Sequence, residues 1–157
     1  MSLQAVKSYF GERLTSIKDA YITDLEKMSE QDLTEGAGGT ARKGIDFTYE
    51  VAYVNRRFTK RLRGETPEAW PEGGWMVAPD ELRTKEATIK NFSESMDLII
   101  AAWNDTPADD LFRVIPAGAE NTSPLDLVYS CCEHTSYHQA QLNYIQELAG
   151  DMTVPWQ

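Results

Sequence analysis

The chain has 157 residues, of which 41% are hydrophobic and 25% charged. This composition is typical of a globular protein rather than of a disordered or fibrous chain, and the length suits one domain that covers residues 1–157. The formal net charge of −10 argues against nucleic acid as a partner, because proteins that bind a phosphate backbone normally present a basic surface. No apolar run approaches the roughly 20 residues that span a bilayer, and the first residues lack a signal-peptide pattern, so we expect no membrane contact and a cytoplasmic location.

Two amphipathic helices are predicted in the first part of the chain, because apolar residues recur there every three or four positions. The first covers about Leu3–Met28 and is ended by the polar, glycine-rich segment Thr34–Thr40. The second covers about Asp46–Arg63, and Gly64 follows it as a common helix stop. The apolar stripes consist of Phe10, Leu14, Ile17, Tyr21 and Met28 in the first helix and of Phe47, Val51, Val54, Phe58 and Leu62 in the second.

The connection Glu65–Pro79 is long and contains two tryptophans, Trp70 and Trp75, among prolines and glycines. Aromatic side chains in so long a loop are expected to pack over another part of the protein. They could cap the open end of a helical bundle, or they could cover a substrate pocket, because loops on rigid scaffolds often carry function. The sequence does not distinguish these two roles.

A third helix is predicted over about Pro79–Trp103, where Ile89, Met96 and Trp103 recur at seven-residue spacing. A second long connection, Asn104–Thr122, follows this helix and includes an apolar piece that could form a short turn or strand. Both long connections leave room for the chain to cross from one end of a bundle to the other.

The fourth helix is the best delimited of the predicted elements. Ser123 is a good N-cap, Pro124 suits the first helical position, and Asp126 completes a capping-box pattern. Gly150 is expected to end the helix. Four amphipathic helices of this length bury their apolar stripes best against one another, so the sequence predicts an all-α four-helix bundle.

The only two histidines of the chain lie on the inward face of the fourth helix. At about 100° per residue, His134 and His138 are one turn apart and point in the same direction, within a stripe that otherwise builds the core. Burying two imidazoles costs free energy unless their nitrogens find partners, and a divalent cation could satisfy one nitrogen of each. The spacing therefore favours a metal site, with a metal-free structural pair as the alternative. The other members of the stripe are Leu127, Cys131, Gln141, Ile145 and Leu148.

A metal site needs at least a third protein ligand, and Glu50 of the second predicted helix is the best candidate. It falls on the inward arc of that helix, where a carboxylate is costly unless it is paired. It could coordinate a metal across the bundle, or it could form a salt bridge with Arg57 or with an arginine elsewhere. Cys131 and Glu133 are weaker candidates, because Cys131 is expected to be a small core residue and Glu133 projects away from the histidine direction.

The segment Cys132–Ile145, with the sequence CEHTSYHQAQLNYI, resembles the last helix of the DinB/YfiT-like superfamily. The pattern of that family is approximately His-x3-His-x-Gly-Gln in an apolar helix that ends near Gly-Asp. It is matched here by His134, His138, Gln141 and Gly150-Asp151, with alanine in place of the glycine. The resemblance implies an up-down-down-up four-helix bundle, often dimeric, whose metal is held by one histidine of the second helix and two of the last.

The position that corresponds to the family's first histidine is Glu50, so this chain departs from the three-histidine pattern. The resemblance then implies that Glu50, His134 and His138 hold a divalent transition metal. Two histidines and a carboxylate with open positions suit zinc and also resemble the facial triad of non-haem iron, and nickel and manganese are further alternatives.

Characterised relatives in the resembled family include transferases and isomerases that use low-molecular-weight thiols. The resemblance therefore implies a metal-dependent enzyme acting on a small molecule, either a thiol-dependent S-transferase or a hydrolase that uses metal-activated water. Tyr53, Tyr137 and Gln141 could orient the substrate or the ligands, although packing is the plainer role for each. Two other interpretations stay open: a non-catalytic metal- or ligand-binding stress-response bundle, and a structural dimerising bundle whose Glu50 and histidines satisfy one another.

Overall fold

The computed structural model describes residues 2–117 and 120–153, and it confirms the predicted all-α class. Within these ranges the chain forms α-helices, two 3-10 turns and one small antiparallel hairpin, and no helix combines the length and hydropathy that crossing a membrane would require. The helices are α1 (Leu3–Lys27), α2 (Glu30–Glu35), α3 (Gly44–Leu62), α4 (Lys85–Asp105) and α5 (Pro124–Leu148), and the strands are β1 (Ile115–Ala117) and β2 (Glu120–Thr122).

Helix α5 begins and ends where the sequence predicts. The Ser123 hydroxyl accepts a hydrogen bond from the Asp126 amide at 3.2 Å, and the Asp126 carboxylate accepts one from the Ser123 amide at 3.1 Å. These reciprocal bonds form the predicted capping box, with Pro124 in the first turn. At the other end Gly150 has a φ of 91°, a left-handed conformation that glycine adopts without steric cost.

The end of α1 differs from the prediction. The helix ends at Lys27, and a separate short helix, α2, follows after a two-residue break. Ser29 caps α2 by accepting a hydrogen bond from the Asp32 amide at 3.0 Å. The extended backbone of Met28 and Ser29 interrupts the helical hydrogen bonds here, although the Met28 side chain is buried as the apolar stripe predicts.

The structure also corrects the predicted start of α4 and shows which elements the connection before α5 contains. Pro79 does not begin an α-helix, because Asp80–Leu82 form a 3-10 turn and α4 starts only after Thr84. The Thr84 hydroxyl caps α4 by accepting a hydrogen bond from the Ala87 amide at 3.2 Å. The connection after α4 contains both a 3-10 turn and the strand β1, the two short elements that were predicted as alternatives.

The four long helices form the ring α1–α4–α3–α5, in which each helix packs against two neighbours. Helices α1 and α4 run antiparallel. Trp103, near the end of α4, donates a hydrogen bond to the Lys7 carbonyl near the start of α1 at 3.0 Å. At the opposite end, Lys85 donates to the Glu26 carbonyl at 2.8 Å.

Helices α3 and α4 run parallel. Asp46 in the first turn of α3 lies 3.9 Å from Arg83, which precedes α4, and Asn55 further along α3 contacts Met96 further along α4 at 3.1 Å. Parallel neighbours that follow each other in sequence need a connection that returns along the bundle. The long segment between Leu62 and Lys85 provides this crossover.

Helices α3 and α5 run antiparallel. Gly44 at the start of α3 lies against Leu142 near the end of α5, whereas Asn55 accepts a hydrogen bond from Cys131 at 3.3 Å. The directions of the four long helices are therefore up, down, down and up in chain order, as the family resemblance implies. This arrangement makes α3 and α5 direct neighbours, which brings Glu50 close to the two histidines.

One apolar cluster lies between the helices and includes most of the predicted stripe residues. Tyr21 of α1 stacks on Phe92 of α4 with ring centroids 4.3 Å apart, and both are completely buried. Both cysteines are buried and free. Leu148 is an exception to the predicted stripe, since it is 56% exposed at the last position of α5.

Candidate metal centre

The two histidines of α5 face each other across one helical turn. Their Nε2 atoms are 3.1 Å apart, and their rings are nearly perpendicular with centroids 4.7 Å apart. His138 is buried and His134 is partly buried. The structure thus brings both imidazoles to one point on the α3 side of the helix, as the spacing predicts.

Glu50 of α3 completes a cluster of three potential ligands. Its Oε1 lies 3.4 Å from His134 Nε2, and its Oε2 lies 3.7 Å from His138 Nε2. Each residue offers one ligand atom such that all three atoms lie within 4.8 Å of one another. Nitrogen and oxygen ligands of one divalent transition metal are roughly 2.9–3.5 Å apart, so these residues could hold such an ion with small adjustments.

The hydrogen bonds of His138 orient its Nε2 toward this cluster. Its Nδ1 lies 2.7 Å from Gln141 Oε1, which can only accept, so Nδ1 carries the proton and donates. The Nε2 lone pair is consequently free and faces Glu50 and His134. Phe47 of α3 stacks on the His138 ring with centroids 5.2 Å apart, and this contact further restricts the ring. A partner on the second ring nitrogen is typical of metal-binding histidines.

His134 contains an unsatisfied polar atom. Its Nδ1 is buried and has no hydrogen-bond partner, while its Nε2 faces His138 and Glu50. If Nδ1 carries the proton, the two Nε2 lone pairs face each other and the carboxylate, an arrangement that a cation would stabilise. If Nε2 carries the proton, Nδ1 is a buried acceptor without a donor, which is also unfavourable. The donor set therefore fits a divalent metal.

Both imidazoles are held in the neutral form that binds metals. Desolvation lowers the pKa of His134, and the nearby Glu50 carboxylate opposes this effect. Desolvation, with a further contribution from His134, lowers the pKa of His138 to about 4. Neutral imidazoles have a free lone pair, so no proton has to be displaced before a metal binds near neutral pH.

Arg42 is a member of the site that the sequence analysis missed. It forms a salt bridge with Glu50 through Nη1 and Oε2, and its Nη2 donates to the carbonyls of Asp46 and Met76, each at 3.3 Å. The sequence analysis offered a salt bridge of Glu50 with Arg57 or with another arginine, and the partner in the structure is Arg42, not Arg57. Arg42 precedes the first residue of α3, so helical periodicity could not place it beside Glu50.

The loop with the two tryptophans packs against α3. Tyr53 donates a hydrogen bond to the Ala69 carbonyl at 2.7 Å and stacks on Trp70. Arg57 lies over the Trp70 ring, with its guanidinium carbon 4.2 Å from the ring centroid. The Trp75 ring is 5.7 Å from the guanidinium carbon of Arg42, which links the loop to the cluster. A role of this loop in covering a substrate stays a prediction.

The remaining sequence-based candidates lie at different distances from the cluster. Gln141 contacts His138 directly, and Tyr137 packs edge-on against the same ring while remaining largely exposed. Tyr53 contacts the loop and not the histidines. Cys131 donates its thiol proton to Asn55, and burial raises the pKa of the thiol, so it is not placed to act as a thiolate ligand. Glu133 accepts a hydrogen bond from Tyr129 on the exposed side of α5.

The chain is similar to one known protein family. The family model described as the DinB superfamily matches residues 51–142, which is more than half of the chain. The match includes both histidines of the cluster and begins immediately after Glu50. No curated protein matches the chain.

Proposed function

The chain belongs to the DinB superfamily, and from this premise we propose that it is a divalent-metal-dependent enzyme whose metal is held by Glu50, His134 and His138. One observation carries the proposal: the Nε2 atoms of two neutral imidazoles and the carboxylate of Glu50 converge on one point. Zinc and iron suit this donor set best, and nickel and manganese are alternatives.

The proposed reaction is either the transfer of a low-molecular-weight thiol to a small electrophilic substrate or the hydrolysis of such a substrate. When bound, a divalent metal supplies Lewis acidity that lowers the pKa of a coordinated thiol or water. The residues of the chain would bind the metal and orient its ligands. Gln141 fixes the ring of His138, and Arg42 fixes the Glu50 carboxylate. The low exposure of His138 and Glu50 limits the access of bulk water.

Metal analysis tests the site assignment. We expect about one equivalent of a transition metal in the wild-type protein purified without chelator, and less than a tenth of that in the His134→Ala/His138→Ala double variant. Glu50→Gln should also lose most of the metal. Glu133→Gln is the matched control, because this carboxylate of α5 contacts Tyr129 instead of the histidines and should retain full metal content.

A second candidate function is favoured by one observation. Glu50 already pairs with Arg42, and the two histidines lie within hydrogen-bond distance of each other, so Nδ1 of His134 is the one side-chain polar atom of Glu50, His134 and His138 that is buried without a partner. The cluster could then serve as a structural network in a non-catalytic bundle. Wild-type protein that contains no metal, and takes up neither zinc, iron, nickel nor manganese when these are added, would favour this function over the enzyme.

The reaction, the assembly and the location are further parts of the proposal. Release of a chromogenic leaving group in the presence of a small thiol, compared with hydrolysis of a chromogenic ester without thiol, distinguishes the two reaction classes. We expect a homodimer, which light scattering on the eluting protein would detect, and a cytoplasmic location, which fractionation of cells would detect. We also expect residues 1–157 to unfold as one cooperative unit.

A further inference from the structure

Arg42 places a positive charge beside Glu50, one of the three candidate metal ligands. We propose that Arg42 restricts Glu50 to coordination through a single oxygen and makes the loaded centre selective for an anionic external ligand, either a carboxylate or a thiolate. This inference rests on the proposed function, since it concerns what the metal centre binds.

The two carboxylate oxygens of Glu50 have different partners. Oε2 forms the salt bridge with Arg42 and lies 3.7 Å from His138 Nε2, whereas Oε1 faces His134 Nε2 at 3.4 Å. A carboxylate oxygen that accepts a charge-assisted hydrogen bond is a weaker metal ligand, because its lone pairs and part of its charge are already engaged. Oε1 is therefore the oxygen that remains for a metal.

The guanidinium of Arg42 is anchored more firmly than that of an ordinary surface ion pair. Its Nη2 donates to the backbone carbonyls of Asp46 and Met76, and the Trp75 ring lies beside it. Its side chain is 27% exposed, and its Nε is buried without a partner. The bonds on both Nη atoms thus hold the charge beside Glu50.

The charges of the site then predict its ligand preference. Histidines bind metals as neutral groups, so the formal charges of the surrounding residues are −1 from Glu50 and +1 from Arg42. These cancel, and a bound dication keeps its full formal charge of +2. Without Arg42 the same centre would carry +1. The additional positive charge disfavours the dication and favours a negatively charged external ligand that binds to it.

The experiment uses cobalt(II), whose visible absorption reports both its own binding and the binding of external ligands. Wild type, Arg42→Gln and Arg42→Lys are titrated with Co²⁺, and the loaded proteins are then titrated with acetate and with 2-mercaptoethanol. Arg57→Gln is the matched control. Like Arg42, Arg57 is an arginine that lies beside a tryptophan of this loop, but it contacts Trp70 and the Glu68 carbonyl instead of Glu50. Thermal unfolding of each variant is measured in parallel.

We expect changes of opposite sign in Arg42→Gln. The variant should bind Co²⁺ at least about tenfold more tightly and should bind both anions at least about tenfold more weakly, because a unit charge within a few ångströms has effects of this size even when solvent screens it. Arg42→Lys keeps the charge and should stay within about threefold of wild type for both affinities. Arg57→Gln should match wild type.

The outcomes separate this inference from the proposed function. If Arg42→Gln weakens the binding of metal and anions together, Arg42 only supports the local structure and the inference is wrong. An Arg42→Gln variant that matches Arg57→Gln in both affinities also overturns the inference, while metal binding by the wild type would still support the proposed function. Wild type that binds no Co²⁺ overturns both.

Discussion

Gln141 provides the sharpest test of whether His138 is a metal ligand. Its Oε1 accepts the His138 Nδ1 proton at 2.7 Å, and its amide nitrogen donates to the Tyr137 hydroxyl at 3.3 Å. Gln141→Leu preserves the approximate size of the side chain but removes the acceptor. The His138 proton can then move to Nε2, where it competes with a metal, and the ring loses one of its constraints.

We expect Gln141→Leu to lower the metal affinity 10- to 100-fold, the usual effect of removing such a partner, which corresponds to about 1.4–2.7 kcal/mol. Gln141→Glu should retain or increase the affinity, because a carboxylate is a stronger acceptor for the Nδ1 proton. The dissociation constants can be measured by competition with a chromophoric chelator. Since Gln141 is only half-buried, both variants should remain folded.

The matched control is Gln139→Leu on the same helix. The Gln139 side chain donates to the buried carboxylate of Asp24 at 2.8 Å, whereas the His138 Nδ1 proton is bound by Gln141, so the loss of Gln139 should reduce stability without changing the metal affinity. The reasoning is refuted if Gln141→Leu and Gln139→Leu have metal affinities within about twofold of each other. It is also refuted if Gln141→Glu loses as much affinity as Gln141→Leu.

Three other predictions concern stability. Burial raises the pKa of Asp24 in the folded protein. The ionised carboxylate therefore destabilises the fold at a pH above the folded-state pKa, and this cost is absent at a pH below the unfolded-state pKa of about 4. Asp24→Asn should raise the melting temperature at pH 7 more than at pH 4, and an equal gain at both would contradict this. Ser123→Ala removes the cap of α5 and should lower the free energy of unfolding by about 1 kcal/mol in urea titrations, and a loss under about 0.3 kcal/mol would show that the cap contributes little. Chelation should lower the melting temperature while leaving the helical circular-dichroism signal at 25 °C unchanged, and unfolding at that temperature would contradict an apo fold that is stable on its own.

The local signals in the sequence predicted the helices well. The boundaries of α5 follow from Ser123, which caps the helix together with Asp126, and from Gly150, which lies two residues after the last helical residue. The break between α1 and α2 was missed because the buried side chain of Met28 continues the apolar stripe while its backbone leaves the helix. The pattern of Ser29 followed by Asp32 is the signal that could have revealed the second N-terminus.

The candidate site could be predicted only in part. The two histidines share one helix, so their proximity follows from helical geometry alone, and Glu50 was found because it lies on an otherwise apolar arc. Arg42 could not be found in this way. Its position depends on the loop that precedes α3 and on the Met76 carbonyl of a distant connection, and such contacts have no periodic pattern in the sequence.

The position of the cluster also determines which measurements can identify its function. Phe47 is a core side chain that stacks on His138, so the site and the core share one interface between α3 and α5. The core extends over all four long helices, and folding therefore does not depend on the cluster in the way that a small zinc domain depends on its metal. A metal at 100 times its dissociation constant would add about 2.7 kcal/mol to this stability. A folded, helical protein is consequently expected with or without metal, so metal content and the affinities of the Gln141 and Arg42 variants, rather than folding, distinguish a metalloenzyme from a structural network.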